Sequence, residues 1–236
     1  MQIMTQEMES RGSSHHASPP LGALAIVYTV LFCAGLYAIA GPSGGSHFPR
    51  PWDSAQVMAT YFQQHSKAVL LCAFLQFGSA IPLGLFTSTL VSRLQFLGVR
   101  AAGATMALWG GFAASFALTG CSMVLWVMAR PGVADDLLLT KALYYVSFGF
   151  GGFGYSVPLA LLMAGVSVPT LFYRLVPRWM SILGLVVAVF GVLSWFSIVL
   201  TPAMFFIPLT RFPGFVWMIA VGFALPTRAR GAESRS

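Results

Sequence analysis

The sequence predicts an all-α membrane protein, a polytopic bundle of about six transmembrane helices. Composition is the first reason, because 57% of the residues are hydrophobic and only 8% are charged, whereas soluble domains carry about 25% charged residues. Mean hydropathy is correspondingly high, at +0.79. Apolar runs also recur at about the 20 residues that cross a bilayer core. A membrane β-barrel would instead show short alternating strands, so helices are predicted.

The predicted elements follow one another with short connections. Residues 1–20 are polar and are predicted to form a disordered N-terminal tail. A membrane domain follows over 21–226, and 227–236 form a short C-terminal tail. The first apolar run ends in a sequence like a signal-peptidase site, but it is longer than a usual signal peptide core, so we expect it to be retained. The predicted spans are 21–41, 68–91, 103–128, 142–169, 179–200 and a less regular sixth at 207–226.

The distribution of charge predicts the orientation of the bundle. Seven of the thirteen cations follow the even-numbered spans, namely Arg93, Arg100, Arg174, Arg178, Arg228, Arg230 and Arg235. The positive-inside rule then places both termini in the cytoplasm. The basic residues form no stripe interleaved with aromatic residues, so we expect no nucleic-acid partner.

The first outer loop, 42–67, is predicted to contain an amphipathic helix near 53–66. Asp53 and Gln56 have the spacing of a capping box. One helical face would carry the apolar and aromatic side chains of Val57, Met58, Tyr61, Phe62 and His65. We expect this helix to lie on the outer surface, where it would shield the bundle or present a surface to a partner.

A glycine-rich stretch, FGFGGFGYS at 148–156, contains the letters of a dinucleotide fingerprint. That fingerprint needs a preceding strand and an acidic residue about 20 positions later. Here it lies in an apolar helix, and no acidic residue occurs between Asp136 and Glu233. No cofactor is therefore predicted.

Small side chains in the same stretch predict close helix packing instead. Gly149, Gly152 and Ser156 share one face of a helix, as small residues at membrane helix contacts do. Span three carries a similar ridge, made of Gly103, Ala107, Gly111 and Ser115. Span three is therefore a candidate partner of span four.

Two similar heptapeptides suggest a parallel repeat of two-helix hairpins: FGSAIPL at 77–83 and FGYSVPL at 153–159. Each proline should free the carbonyl four residues earlier and kink its helix. Paired Gly/Pro interruptions are typical of transporter binding sites, although the simpler interpretation is kinked helices fitted into a bundle, with neighbouring helices satisfying the backbone. The candidate kink or solute site comprises Gln76, Gly78, Pro82, Gly154, Tyr155 and Pro158.

Catalytic chemistry is not predicted within the membrane. The runs 68–91, 103–128, 142–169 and 179–200 contain no charged residue. Proton-coupled transport and intramembrane proteolysis usually require buried acids, histidines or serine–histidine sets. No metal site is predicted, since no C-x-x-C pair is present. The three cysteines are expected to be small buried thiols, with a Cys72–Cys121 disulfide as the alternative.

Arg211 is the exceptional charge, because it lies in the apolar run of span six. Counting back from Pro226 places it about one turn inside the outer face, between Pro208 and Pro213, which should break the helix. We expect Arg211 to bind an anionic headgroup or to pair with Asp135 or Asp136; the alternative is a snorkelling side chain. Asp53, His65 and Arg211 form the candidate outer-face anion or partner site.

Three stretches carry a resemblance: AQVMATYFQQHSKAVLL, FYRLVPRWMSILGLVVAVFGVLS and IPLTRFPGFVWMIAVGFALP. Together they resemble a broad group of uncharacterised six-span bacterial membrane proteins of the domain-of-unknown-function type. The resemblance implies a bacterial inner-membrane location and no particular activity.

The overall expectation is a non-enzymatic multi-pass membrane protein, a structural, regulatory or assembly subunit of the cytoplasmic membrane. The alternative is a facilitator or channel for a small neutral or weakly polar solute, using the paired Gly-x-x-x-Pro kinks. Expected partners are membrane lipids and either another membrane protein or further copies of the chain.

Overall fold

The computed structural model describes residues 19–41 and 47–227, and within these ranges the chain is an all-α bundle without a β-strand. Six helical segments are long and apolar enough to cross a membrane, which confirms the predicted fold class. The predicted tails at 1–20 and 227–236 lie almost entirely outside the described residues.

The fourth span consists of two helices, and the fifth and sixth spans include short 3-10 turns. The helices are α1 (Leu21–Ala40), α2 (Ala55–Gln64), α3 (Ser66–Phe96), α4 (Ala102–Met128), α5 (Leu137–Gly151), α6 (Phe153–Phe172), α7 (Arg178–Leu193) and α8 (Phe206–Ala224). The 3-10 turns are Val133–Asp135, Ser194–Ile198 and Thr201–Phe205. The predicted spans agree with these bounds to within a few residues, apart from α3 and the fourth span, which are longer than predicted.

The six spans form a closed circuit. Each packs on its neighbours in the chain, and α8 packs on α1. The closing contact uses glycines, since a Cβ atom at Gly222 would lie 2.8 Å from the backbone nitrogen of Gly22. Leu21 and Ala224 therefore lie at one end of the bundle, the terminal face. The other end, the loop face, carries α2 and residues 47–54 and 129–136.

Backbone atoms of α4 and α6 come into close contact. A Cβ atom at Gly110 would lie 2.6 Å from both the carbonyl oxygen of Pro158 and the nitrogen of Leu162. Nearer the terminal face, Gly103 lies against the carbonyl of Gly165. Spans three and four are thus packed together, as the sequence predicted.

The small residues predicted to form that contact, Gly149, Gly152 and Ser156, have other neighbours. A Cβ atom at Gly152 would lie 3.3 Å from Ile207 of α8, and the carbonyl of Ser156 lies against Gly191 of α7. The nearest neighbour of Gly149 is Phe153 of the following helix. The stripe prediction assumed one continuous helix, whereas the chain breaks inside the stripe.

The break is at Gly152, whose φ and ψ are −86° and −107°. This break has no counterpart at Gly78, and the pair of kinks at Pro82 and Pro158 stays a prediction. α3 runs without interruption through Gly78 and Pro82, while the interruption in span four precedes Gly154 and Pro158. Both α3 and α6 pack on α4.

Helix α2 is docked on the bundle. Its N-cap is Ser54, whose Oγ accepts a hydrogen bond of 3.3 Å from the nitrogen of Val57, so the predicted cap at Asp53 is wrong. Met58, Tyr61 and Phe62 are buried as expected, but Val57 is 46% exposed. The Tyr61 hydroxyl donates to the carbonyl of Ile39 at 2.7 Å. Burial raises the pKa of Tyr61 to about 12.

Helix α8 is continuous across both of its prolines, so the predicted breaks at Pro208 and Pro213 are wrong. Pro208 lies in the first turn, where a backbone N–H has no partner within the helix. Arg211 is therefore carried on a regular helix.

The α4–α6 contact predicts that Gly110→Ala destabilises the bundle by about 1–3 kcal/mol, the usual cost of overpacking. Unfolding midpoints in mixed micelles with increasing dodecyl sulfate would measure this. Gly78→Ala is the matched control, because a Cβ atom there meets nothing within 4 Å and alanine favours a helix. Equal midpoints for the two variants would contradict the packing account.

Candidate functional site

A cavity of about 370 Å³ lies towards the loop face and is lined by α1, α3, α4, α5, α8 and residues 48–51. Most of its wall is apolar, including Phe32, Leu36, Ile39, Phe48, Leu118, Leu125, Phe148 and Ile207. The polar side chains in its lining are Arg50, Gln76, Tyr144, Ser147 and Arg211. No acidic side chain is among the described residues that line it.

Arg211 enters this cavity from α8 and is held at the helix break. Its Nη2 donates to the carbonyl of Gly151, the last residue of α5. The last carbonyls of a helix have no partner within it and carry partial negative charge. The break at Gly152 therefore supplies the acceptor that positions the guanidinium.

Aromatic rings support the same guanidinium. It lies 5.1 Å from the centre of the Phe32 ring and 5.5 Å from that of Tyr155. Such cation–π contacts stabilise a charge by about 0.5–2 kcal/mol. They supply no formal negative charge.

Arg211 has no acidic partner among the described residues. Asp135 accepts from Nε2 of Gln63 at 3.0 Å, and Asp136 accepts from the nitrogen of Leu138 at 2.9 Å. The predicted pairing with these acids is therefore wrong. The Nε of Arg211 is buried without a hydrogen-bond partner in the described part of the chain. The side chain as a whole is half-buried, and a charge in such surroundings without a counter-ion is costly, so the described residues leave this positive charge without a formal counter-charge.

The inner end of the cavity is closed by an aromatic cluster made of Tyr28, Phe32, Tyr155 and Phe215, all buried. The hydroxyls of Tyr28 and Tyr155 are hydrogen-bonded to each other. The ring centres of Phe32 and Phe215 are 5.1 Å apart. This cluster lies between the cavity and the terminal face.

Residues 48–51 form a cap over the cavity. The Tyr144 hydroxyl donates to the carbonyl of Pro49 at 2.6 Å, and that of Tyr145 donates to Pro51 at 2.9 Å. The Phe48 ring packs edge-on against Tyr61 of α2, with centres 5.4 Å apart. Contacts with α5 and α2 thus hold the cap in place.

Only part of the predicted sites is assembled here. Gln76, 5% exposed, lines the cavity together with Arg211, and Tyr155 lies beneath the Arg211 guanidinium. The other four members of the predicted kink site do not line it: Gly78, Pro82, Gly154 and Pro158.

Asp53 and His65 are also outside the cavity lining. Asp53 lies 3.7 Å from His47 and accepts from the Arg50 nitrogen at 2.7 Å. His65 stacks on Tyr61, with ring centres 4.5 Å apart. The predicted outer-face trio is therefore not one site.

Sequence reasoning missed the contribution of α5. Tyr144, Ser147 and Gly151 recur at three- and four-residue intervals, a pattern that indicates one helical face. Ser147 Oγ lies 3.5 Å from Sγ of Cys121, and all three cysteines are free thiols. The alternative of a disulfide is thus wrong.

Metal chemistry has no evident centre in the described ranges, where no three histidine, cysteine or acidic side chains come together.

Comparisons with family models, curated proteins and solved structures find no match to this chain.

The cap predicts that Tyr144→Phe loosens residues 49–53, because the buried carbonyl of Pro49 loses its donor. A buried hydrogen bond contributes about 1 kcal/mol, so the amides of Trp52 and Asp53 should exchange about fivefold faster. Hydrogen–deuterium exchange with mass spectrometry would measure this. The control is Tyr145→Phe, which removes an exposed bond that water replaces; equal exchange in both variants would contradict the cap.

Proposed function

We propose that this multi-pass membrane protein is a non-enzymatic regulatory subunit that binds a small amphiphilic anion in the cavity beneath residues 48–51. The observation that carries the proposal is the uncompensated guanidinium of Arg211 in an apolar cavity. A bound anion would supply the charge that the described protein does not provide.

The chemistry of the cavity favours an acid group with an apolar body. A guanidinium presents five N–H donors in a fork that suits carboxylate and phosphate. One of these donors is used by Gly151 and Nε is unused. The rest of the wall is mainly aliphatic and aromatic, and a volume of about 370 Å³ is in the range of small-molecule sites.

The polar groups of the cavity support binding without catalysis. The Tyr144 hydroxyl is committed to Pro49, and Ser147 is paired with Cys121. A nucleophile, a base and an orienting group are not found together there. We therefore propose recognition as the role of the site.

A facilitator remains the second candidate, because Gln76 offers a second polar group beside Arg211. Passage from this cavity to the terminal face would require the Tyr28–Tyr155 pair to separate. The solute would then be an anion, in contrast to the neutral solute expected from the sequence.

The proposed setting is the inner membrane of a bacterium with both termini in the cytoplasm, which the arginine distribution supports. The loop face and the cavity mouth would then face the periplasm. A ligand would enter from that side, and a protein partner or a second copy of the chain would recognise whether the bundle is ligand-bound.

Binding of octanoate, with octanol as the uncharged probe of equal length, tests the proposal. Calorimetry in nanodiscs, with empty nanodiscs subtracted, should show octanoate binding at least tenfold more tightly than octanol. Arg211→Gln should weaken octanoate binding by about 10- to 100-fold, since bonds to a charged group contribute about 1.5–3 kcal/mol. Arg211→Lys should recover part of the loss.

Arg178→Gln is the matched control, since Arg178 is exposed outside the cavity. Equal affinities for octanoate and octanol, or an unchanged affinity in Arg211→Gln, would contradict the proposal. Octanoate flux through proteoliposomes would favour the facilitator, whereas binding without flux would favour the regulatory subunit.

A further inference from the structure

A second concave surface, here called the α3–α4 groove, lies on the outside of the bundle and encloses about 730 Å³. Its floor is made of small buried residues, Ala73 of α3 and Ser122 of α4. Its walls are large and exposed, with Phe74 of α3 73% exposed opposite Met123 and Trp126 of α4. A small floor between large walls suits a flexible chain.

The groove has the length of one membrane leaflet. It extends along α3 from Lys67 to Phe77, a rise of about 15 Å at 1.5 Å per residue. That is half of a hydrocarbon core of about 30 Å. One end lies at the loop face, and the other lies near the middle of the span.

The groove has one basic residue, Lys67, among the described residues of its lining, and Arg130 lies next to the lining residue Trp126. Lys67 lines the groove at the loop face. At the same end, the Arg130 guanidinium lies 4.6 Å from the centre of the Trp126 ring, and its Nε donates to the Trp126 carbonyl at 3.2 Å. None of the described residues that line the groove is acidic.

Away from the loop face, the polar side chain in the described lining of the groove already has a hydrogen-bond partner. The Ser122 hydroxyl donates to the carbonyl of Leu118 at 2.8 Å within its own helix. An occupant therefore needs one negative group at the loop face and an apolar chain about one leaflet long.

We propose that the α3–α4 groove holds one acyl chain of an anionic phospholipid, with the lipid phosphate between Lys67 and Arg130. Charge complementarity selects the headgroup, and groove length selects the chain. This site shares no lining residue with the Arg211 cavity, so it goes beyond the proposed function and is independent of it.

Competition between two lipids tests the site. Delipidated protein is reconstituted with equal amounts of dioleoyl-phosphatidylglycerol and dioleoyl-phosphatidylcholine, and native mass spectrometry counts the lipids that remain bound. The wild-type protein should retain one phosphatidylglycerol in preference to phosphatidylcholine. Replacing both cations, in Lys67→Gln/Arg130→Gln, should lower that preference by about 30-fold, the effect expected for two interfacial charges.

The matched control is Lys141→Gln/Arg178→Gln, which removes two charges outside the groove; Lys141 also lies over an aromatic ring, that of Tyr145, at 6.0 Å. Retention of both lipids in equal amounts by the wild-type protein would overturn the proposal. Equal behaviour of the two double variants would overturn it as well.

Filling the floor gives a second, steric test. Ala73→Phe should abolish retention of the lipid, while an unchanged unfolding midpoint in mixed micelles shows that the bundle is intact. Phosphatidylglycerol retained by a folded Ala73→Phe variant would overturn the proposal. If this variant does not fold, the charge variants still test the proposal. Both replaced cations are on the surface of the bundle, where a substitution leaves the fold intact.

Discussion

The contact between the Arg211 guanidinium and the Gly151 carbonyl is the interaction on which the site depends. In an uninterrupted helix, the Gly151 carbonyl would accept from the amide of residue 155. Because the chain breaks at Gly152, that carbonyl is available to α8 instead. The break thus joins the fourth and sixth spans at the base of the cavity. A glycine between two helices, rather than a proline within one, organises the site.

The scarcity of acids explains why this arginine lacks a counter-ion. The described residues include only three acids, and each already has a neighbour to bond. Asp53 accepts a hydrogen bond from the backbone nitrogen of Arg50, and Asp135 accepts one from the side chain of Gln63. Asp136 is the N-cap residue of α5. The acids thus stabilise loop-face structure, while the Gly151 carbonyl and the rings of Phe32 and Tyr155 hold Arg211. Dipoles and ring faces orient the guanidinium without neutralising it, which leaves its charge available to a ligand.

The sequence predicts the spans well because bilayer thickness limits their length. Small residues also predicted that spans three and four pack together, but the choice of glycines failed where the break at Gly152 changes the helical register. Arg211 could be found because a charge in an apolar run is rare. The role of Tyr144 could not, because its hydroxyl bonds Pro49, 95 positions away in the chain. Such long-range convergence leaves no local pattern.

The most direct measurement is the ¹⁵N resonance of the Arg211 side-chain Nε–H in nanodiscs, assigned by its loss in Arg211→Lys. This group is a buried donor of the cavity that the described residues leave without a hydrogen-bond partner. Our account predicts that the resonance shifts on addition of octanoate and stays unchanged on addition of octanol. If the chemical shift does not change with octanoate, or changes equally with both molecules, the claim that Arg211 is the anion-binding group of this cavity is contradicted.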